Sequence, residues 1–206
     1  MLAGGVALGV VAVKWLLPRK VAEPQFKTVR SFDGIEVREY GATVVAETVV
    51  EGAFDKSLSE GFRRLARYIF GGNRRHDRIA MTAPVSQQPD TARGDKIAMT
   101  APVGAQAEGA RWRVTFTMPE GATLETLPEP IDERVKLRAV PARRVAALRF
   151  SGWAGEVVSA DKKREALERI ATHQLKSAGE PILAQYDPPW TLPFLRRNEI
   201  LVELTD

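Results

Sequence analysis

The 206-residue chain has no cysteine and only two histidines. The first absence excludes disulfides, thiolate metal sites, a cysteine nucleophile and haem attached through cysteine. The second argues against a multi-histidine metal site and leaves a Ser-His-Asp arrangement only His76 or His173 to work with. Glycine-rich phosphate loops are missing as well, because Gly71-Gly72 closes a helical pattern rather than opening one. Carboxylates are scattered, with no pair marked out for acid–base work. A formal charge of +4 comes without a helix-turn-helix, zinc-finger or aromatic ribonucleoprotein signature, so nucleic acid is not an expected partner. These absences favour a binding protein over an enzyme, with a surface that tolerates carboxylates or phosphates.

At 44% hydrophobic and 27% charged residues, the composition is that of an ordinary globular domain. The first seventeen residues, MLAGGVALGVVAVKWLL, are apolar apart from Lys14, and Pro18-Arg19-Lys20 follow. The basic residues lie after the apolar run and no A-x-A site is evident, so an uncleaved anchor is favoured over a signal peptide. Residues 1–20 are therefore expected to be a hydrophobic membrane anchor or signal-like leader. Residues 21–33 read as a polar linker and 34–206 as the folded domain. The protein is expected to be membrane-anchored through this single segment, with the cytoplasmic or periplasmic side left open.

Within the domain, Ile35–Tyr40 and Ala42–Val50 are strand-like. Over residues 53–70 the period changes: Phe54, Leu58, Phe62, Leu65 and Ile69 recur at helical spacing, and Gly71-Gly72-Asn73 stops the helix. Residues 79–85 and 97–103 carry the same heptapeptide, IAMTAPV, and alternation makes both of them strands, with Met81 and Met99 facing one layer. Residues 112–118, 134–140, 143–151, 182–186 and 198–204 add strands, and 159–178 a second helix. The order implies two β-β-α-β-β units related by a pseudo-twofold. The expected fold is α+β: a distorted antiparallel barrel or sheet with two flanking helices.

The densest chemistry is cationic. Arg63, Arg64, Arg67, Arg74, Arg75 and Arg78 lie along the end of the first helix and its exit loop, and guanidinium groups hold carboxylates and phosphates in forked contacts. Beside them fall Phe62, Ile69, Phe70, Met81 and Met99. Apolar surface next to cations suits a planar amphiphile with acidic arms. A solvated charged face and a plain methionine core are the competing readings. His173 reads as a surface residue, and His76 as a loop residue or an axial ligand.

The IAMTAPV strands, FRRLARYIFGGN at 62–73, and YDPPW with RRNE at 186–190 and 196–199 resemble the SOUL haem-binding protein family over about residues 33–205. The doubled heptapeptide is similar to the form common in bacterial and plant members. The resemblance implies non-covalent binding of haem or another porphyrin in a shallow apolar cleft along the first helix and near the loop after YDPP. By position it places Phe62, Arg63, Ala66 and Arg67 on the helix and Trp190 and Thr191 in the loop, with His76 as a candidate axial ligand of the metal. Phe62, Ala66 and Arg67 stand where some members have methionines and a lysine. The same fold also serves ligand-sensing and protein-interaction modules, so a protein partner is a second expectation. A tetrapyrrole-modifying enzyme working through His76 is a third.

Overall fold

The computed structural model describes residues 21–90 and 110–205. Among the described residues, nine strands form a single antiparallel sheet that stays open. In chain order they are β1 (Phe26–Phe32), β2 (Ile35–Tyr40), β3 (Thr43–Glu51), β4 (Val85–Pro89), β5 (Arg111–Thr117), β6 (Lys136–Val140), β7 (Arg143–Phe150), β8 (Ser177–Gln185) and β9 (Asn198–Leu204). Two helices accompany them, α1 (Phe54–Ile69) and α2 (Glu156–Thr172).

The strand order β1-β2-β7-β9-β8-β4-β5-β3-β6 carries the expected duplication. Exchanging β2 with β6, β3 with β7, β4 with β8 and β5 with β9 reverses the order from β2 onward onto itself. The register agrees: Ala46↔Phe116 in the first unit corresponds to Leu148↔Ile200 in the second. The pseudo-twofold runs between β4 and β8, where Ser86 pairs with Ala184. Antiparallel neighbours directly opposite each other point to the same side of a sheet. The row Thr48, Val114, Gln87, Leu183, Ile200, Leu148 and Ile35 therefore lines one face across seven strands. Every member of that row is buried. Both helices rest on this face, α1 over β3 and β5 and α2 over β7, β8, β9 and the adjoining β2.

Several expectations are corrected. The linker at 21–33 contains β1, which pairs with β2 along its length. As an edge strand it is exposed at almost every position, so its sequence lacks the apolar alternation of a buried strand. The strand expected at 79–85 is an irregular crossing. Its amides turn to different partners, Ile79 N–H to Ile69 O at 2.8 Å and Ala83 N–H to Ala22 O at 2.9 Å. Pro84 has no N–H to give. The inward alternation was nonetheless right, since Ile79, Met81 and Val85 all pack on the core beneath α1. The second heptapeptide, with Met99, lies outside the described residues. The second helix starts three residues earlier than expected and stops six earlier, because Gln174 adopts a left-handed backbone (φ +59°) and Ser177 already begins β8.

The expected membrane anchoring is also corrected. Among the described residues no helix is long and apolar enough to cross a membrane. The helices α1 and α2 have 16 and 17 residues, and each has a charged outer face, whereas a span needs about 20 predominantly apolar ones. The apolar run at 1–20 lies outside the described residues.

Candidate functional site

The helix α1 is held tightly to the sheet. A Cβ on Gly61 would stand 2.5 Å from Val114 Cγ2, so glycine permits an approach that no side chain would. Leu65, Tyr68 and Ile69 fill the contact around it. Burial pushes the Tyr68 hydroxyl up to about 12, and it donates to Pro128 O at 2.9 Å.

On either side of this contact line the helix differs. On the flank toward β3, Arg64 donates to Thr48 Oγ1 at 2.7 Å and to Val49 O at 3.2 Å, and pairs with Glu60. The opposite flank presents Leu58, Phe62 and Ala66, one turn apart and half-buried. Phe62 lies edge-on to Phe116 of β5, ring centres 5.4 Å apart. Arg63 stands on the solvent side opposite the sheet contact, and Arg67 lies round from it toward the Arg64 flank, both exposed. Arg63 Nε donates only to Ser59 O at 3.3 Å, and neither arginine has an ion-pair partner among the described residues.

The expected basic cluster therefore divides. Arg64 is structural, Arg74 pairs with Glu129 at 2.7 Å, and Arg75 pairs with Asp77 at 3.1 Å while also donating to Thr126 O. His76 is exposed in the exit loop with a left-handed backbone (φ +55°). His173 is not the solvated residue expected. It caps α2, bonds Asp33 Oδ2 at 2.7 Å and stacks on Phe32 with ring centres 4.0 Å apart.

The helix α2 stands on the other unit in the equivalent place. Its buried residues are Ser159, Ala166 and Ile170. On its outer flank Arg169 and His173 both reach Asp33 in the β1–β2 turn. On the flank toward α1 are Lys163 and Leu167, and Leu167 packs against the core that contains Phe54 and Leu183. Lys163 is half-buried, and burial pushes its ammonium down to about 8. Between the helices, the buried Gln87 of β4 donates to Phe54 O at 3.0 Å and leaves its Oε1 without a partner among the described residues.

Trp190 and Thr191 belong to a different packing unit. Their loop is tied to the β7–α2 connection by Gly152 N–H to Pro193 O at 2.9 Å and by Arg196, stacked 3.9 Å over Trp153. Trp190 is 82% exposed, whereas Thr191 is buried and takes a hydrogen bond from Arg196 Nε on its carbonyl.

The opposite face of the sheet is charged, and its centre went unread in the sequence. Arg38 of β2 reaches across β7 to Glu199 of β9 with two bonds, at 2.7 and 3.1 Å, and the Tyr186 hydroxyl donates to the same carboxylate at 2.6 Å. Burial works to raise the Glu199 carboxyl, but Arg38 and Tyr186 together hold it below the usual carboxylate range. Burial pushes the Tyr186 phenol up, reinforced by the Glu199 charge. A hollow beside this network, lined by Phe26, Tyr40, Pro84 and Tyr186, holds about 50 Å³. Small-molecule sites run to roughly 300–1,000 Å³, so a tetrapyrrole does not fit there. The sequence hint was NEILVEL, whose two glutamates share one face with Leu201.

A family model described as SOUL heme-binding protein matches residues 21–203, which takes in β1 as well. Heme-binding protein 1 of Sus scrofa is 28% identical over 149 residues, 71% of this chain and 70% of that protein. Among solved structures, the C-terminal domain of EcmrR superposes with a TM-score of 0.59 at 10% identity, covering 84% of this chain and 97% of that one. An uncharacterized conserved protein from Listeria innocua gives 0.54 at 13% identity, covering 95% and 98%. At such identities these two likenesses speak for the fold alone.

Proposed function

The chain belongs to the SOUL heme-binding protein family, and from that membership we propose that it binds haem or another porphyrin non-covalently on the inner flank of α1. The observation that carries the reading is the half-buried apolar stripe Leu58, Phe62 and Ala66, with two exposed cations, Arg63 and Arg67, on the solvent side of the same helix and no ion-pair partner for either among the described residues. A porphyrin has the matching chemistry: a broad apolar plane with carboxylates on one edge. Burying the plane contributes several kcal/mol at about 25 cal/mol per Å², reduced by the losses of association. Phe62 and Ala66 would receive the plane, and Arg63 and Arg67 the carboxylates. His76 is the imidazole left over for an axial position, since His173 is engaged with Asp33.

A Soret titration with haemin tests this. Wild-type protein should bind more tightly than an unrelated protein of similar charge. Phe62→Ala with Arg67→Ala should weaken binding by at least tenfold, about 1.4 kcal/mol. Unchanged binding by the double variant would remove the site. His76→Ala should shift the Soret band if its imidazole is the ligand. The proposal is of a binder rather than a catalyst, so the porphyrin should be recovered unaltered after incubation with a reductant.

A second reading, a protein-interaction surface, is favoured by one observation. Trp153, Trp190, Leu192, Phe194 and Leu195 are all more than half exposed on the two packed loops, an apolar concentration of the kind found at interfaces. Capture of one defined protein by wild type, and its loss with Trp190→Ala and Phe194→Ala, would support it.

A further inference from the structure

The two inner flanks are equivalent in place and opposite in character. On α1 the flank away from the Arg64–Thr48 contact carries Leu58, Phe62 and Ala66, and on α2 the flank away from the Arg169–Asp33 contact carries Lys163 and Leu167. The apolar stripe of α1 thus looks across the strip over β4 toward a lysine on α2. Lys163 is one turn from Leu167, which packs against the core cluster that also takes in Phe54 of α1. Its ammonium has no ion pair or hydrogen bond among the described residues, and the carboxylate that acts on it, Glu180 of β8, does so only at a distance. The outer cations of α2 are otherwise engaged, Arg169 with Glu165 and Asp33, and Lys162 with Glu165 at 2.6 Å.

We propose that Lys163 is the inner anchor for a carboxylate of the ligand bound against Phe62 and Ala66, so that the ligand is gripped by both repeats. The inference rests on the tetrapyrrole reading of the α1 flank and adds a carboxylate contact on the opposite wall. Coulomb attraction scales inversely with the local dielectric, so it is about fourfold stronger at an effective value near 20 than in bulk water. A partly desolvated ammonium holds an anion more firmly than the exposed guanidinium groups of Arg63 and Arg67. A lysine left unpaired among apolar groups is also poorly solvated until an anion joins it.

Haemin and its dimethyl ester separate the contributions. Lys163→Met should weaken haemin binding about tenfold and leave the ester unchanged, whereas Phe62→Ala should weaken both alike. The Lys163 amine, followed by NMR of 13Cε-labelled lysine, should titrate near 8 in the free protein and higher in the haemin complex, since an adjacent carboxylate favours the charged form. Equal losses of haemin and ester in Lys163→Met, or no loss of either, would overturn the anchor while leaving the α1 site standing. Failure of the wild type to bind either ligand would remove both.

Discussion

The helices α1 and α2 occupy equivalent places on one face of the sheet and are built to different standards. The helix α1 buries Phe54, Ser57, Gly61, Leu65, Tyr68 and Ile69, whereas α2 buries only Ser159, Ala166 and Ile170. One repeat is a tightly seated wall with an apolar inner flank. The other is a looser wall that keeps an amine inside. A duplicated scaffold needs only one copy to supply packing at each equivalent position, which frees the other copy to hold groups that stability alone would not select. The charged face follows the same division. In the second repeat the Arg38–Glu199 pair is fully buried, whereas Glu47 of the first meets Arg113 and Arg138, whose side chains are 23% and 47% exposed.

The largest test of that division is Glu199→Gln. Leaving buried Arg38 with only the half-exposed Glu36 as counter-charge, at 2.8 Å, should cost about 3 kcal/mol in urea unfolding. In the first repeat, Glu47→Gln should cost less than about 1 kcal/mol, because its arginine partners are partly exposed; similar losses would erase the contrast. The pH dependence has a defined sign. The Glu199 carboxyl is held below its unfolded value, so its contribution is complete above the ordinary carboxylate range and is lost as pH falls through the lower folded value. Acid titration of stability should therefore be flatter in Glu199→Gln than in wild type.

Next in size is the seating of the helices. Gly61→Ala must move α1 off Val114 and should cost about 1–3 kcal/mol by calorimetry. Ala166→Gly, at a buried position of α2, should cost about 1 kcal/mol from helix propensity alone. A harmless Gly61→Ala would mean that α1 is no more tightly seated than α2.

The smallest effect has the opposite sign. The Lys163 amine is depressed in the folded state, so the unfolded chain binds more protons between pH 8 and 10.5 and stability should rise across that window. Lys163→Met should stabilise the protein at neutral pH by about 1 kcal/mol, after allowance for its partial exposure, and should remove the rise. A destabilised variant would show that the lysine is held for packing rather than for a ligand.

Much of this was legible in the chain. The period change at Phe54 located α1, and the alternation in NEILVEL located β9 to the residue. The repeated order of elements yielded the pseudo-twofold, which the palindromic strand order bears out. Two kinds of feature escaped. An edge strand exposed along both sides, such as β1, lacks a periodic signature, so it reads as linker. Contacts across the sheet were equally hidden: Arg38 and Glu199 are 161 positions apart, and nothing local in IEVREY says which acid it will meet. Within the candidate site, the inward flank of α1 could be found from spacing. That Arg64 and Arg74 are engaged elsewhere, and that Lys163 looks back across β4, depends on how the sheet brings the two repeats together.

The central claim is that the two inner helix flanks form opposite walls of one ligand site. Paramagnetic broadening by haemin in methyl- and amide-resolved NMR spectra tests it directly. Signals of Leu58, Ala66 and Leu167 should broaden together at substoichiometric haemin, with Ile182 and Leu201 on the charged face left sharp. Broadening confined to the loop around Trp190 and Phe194, or to the charged face, would contradict the account.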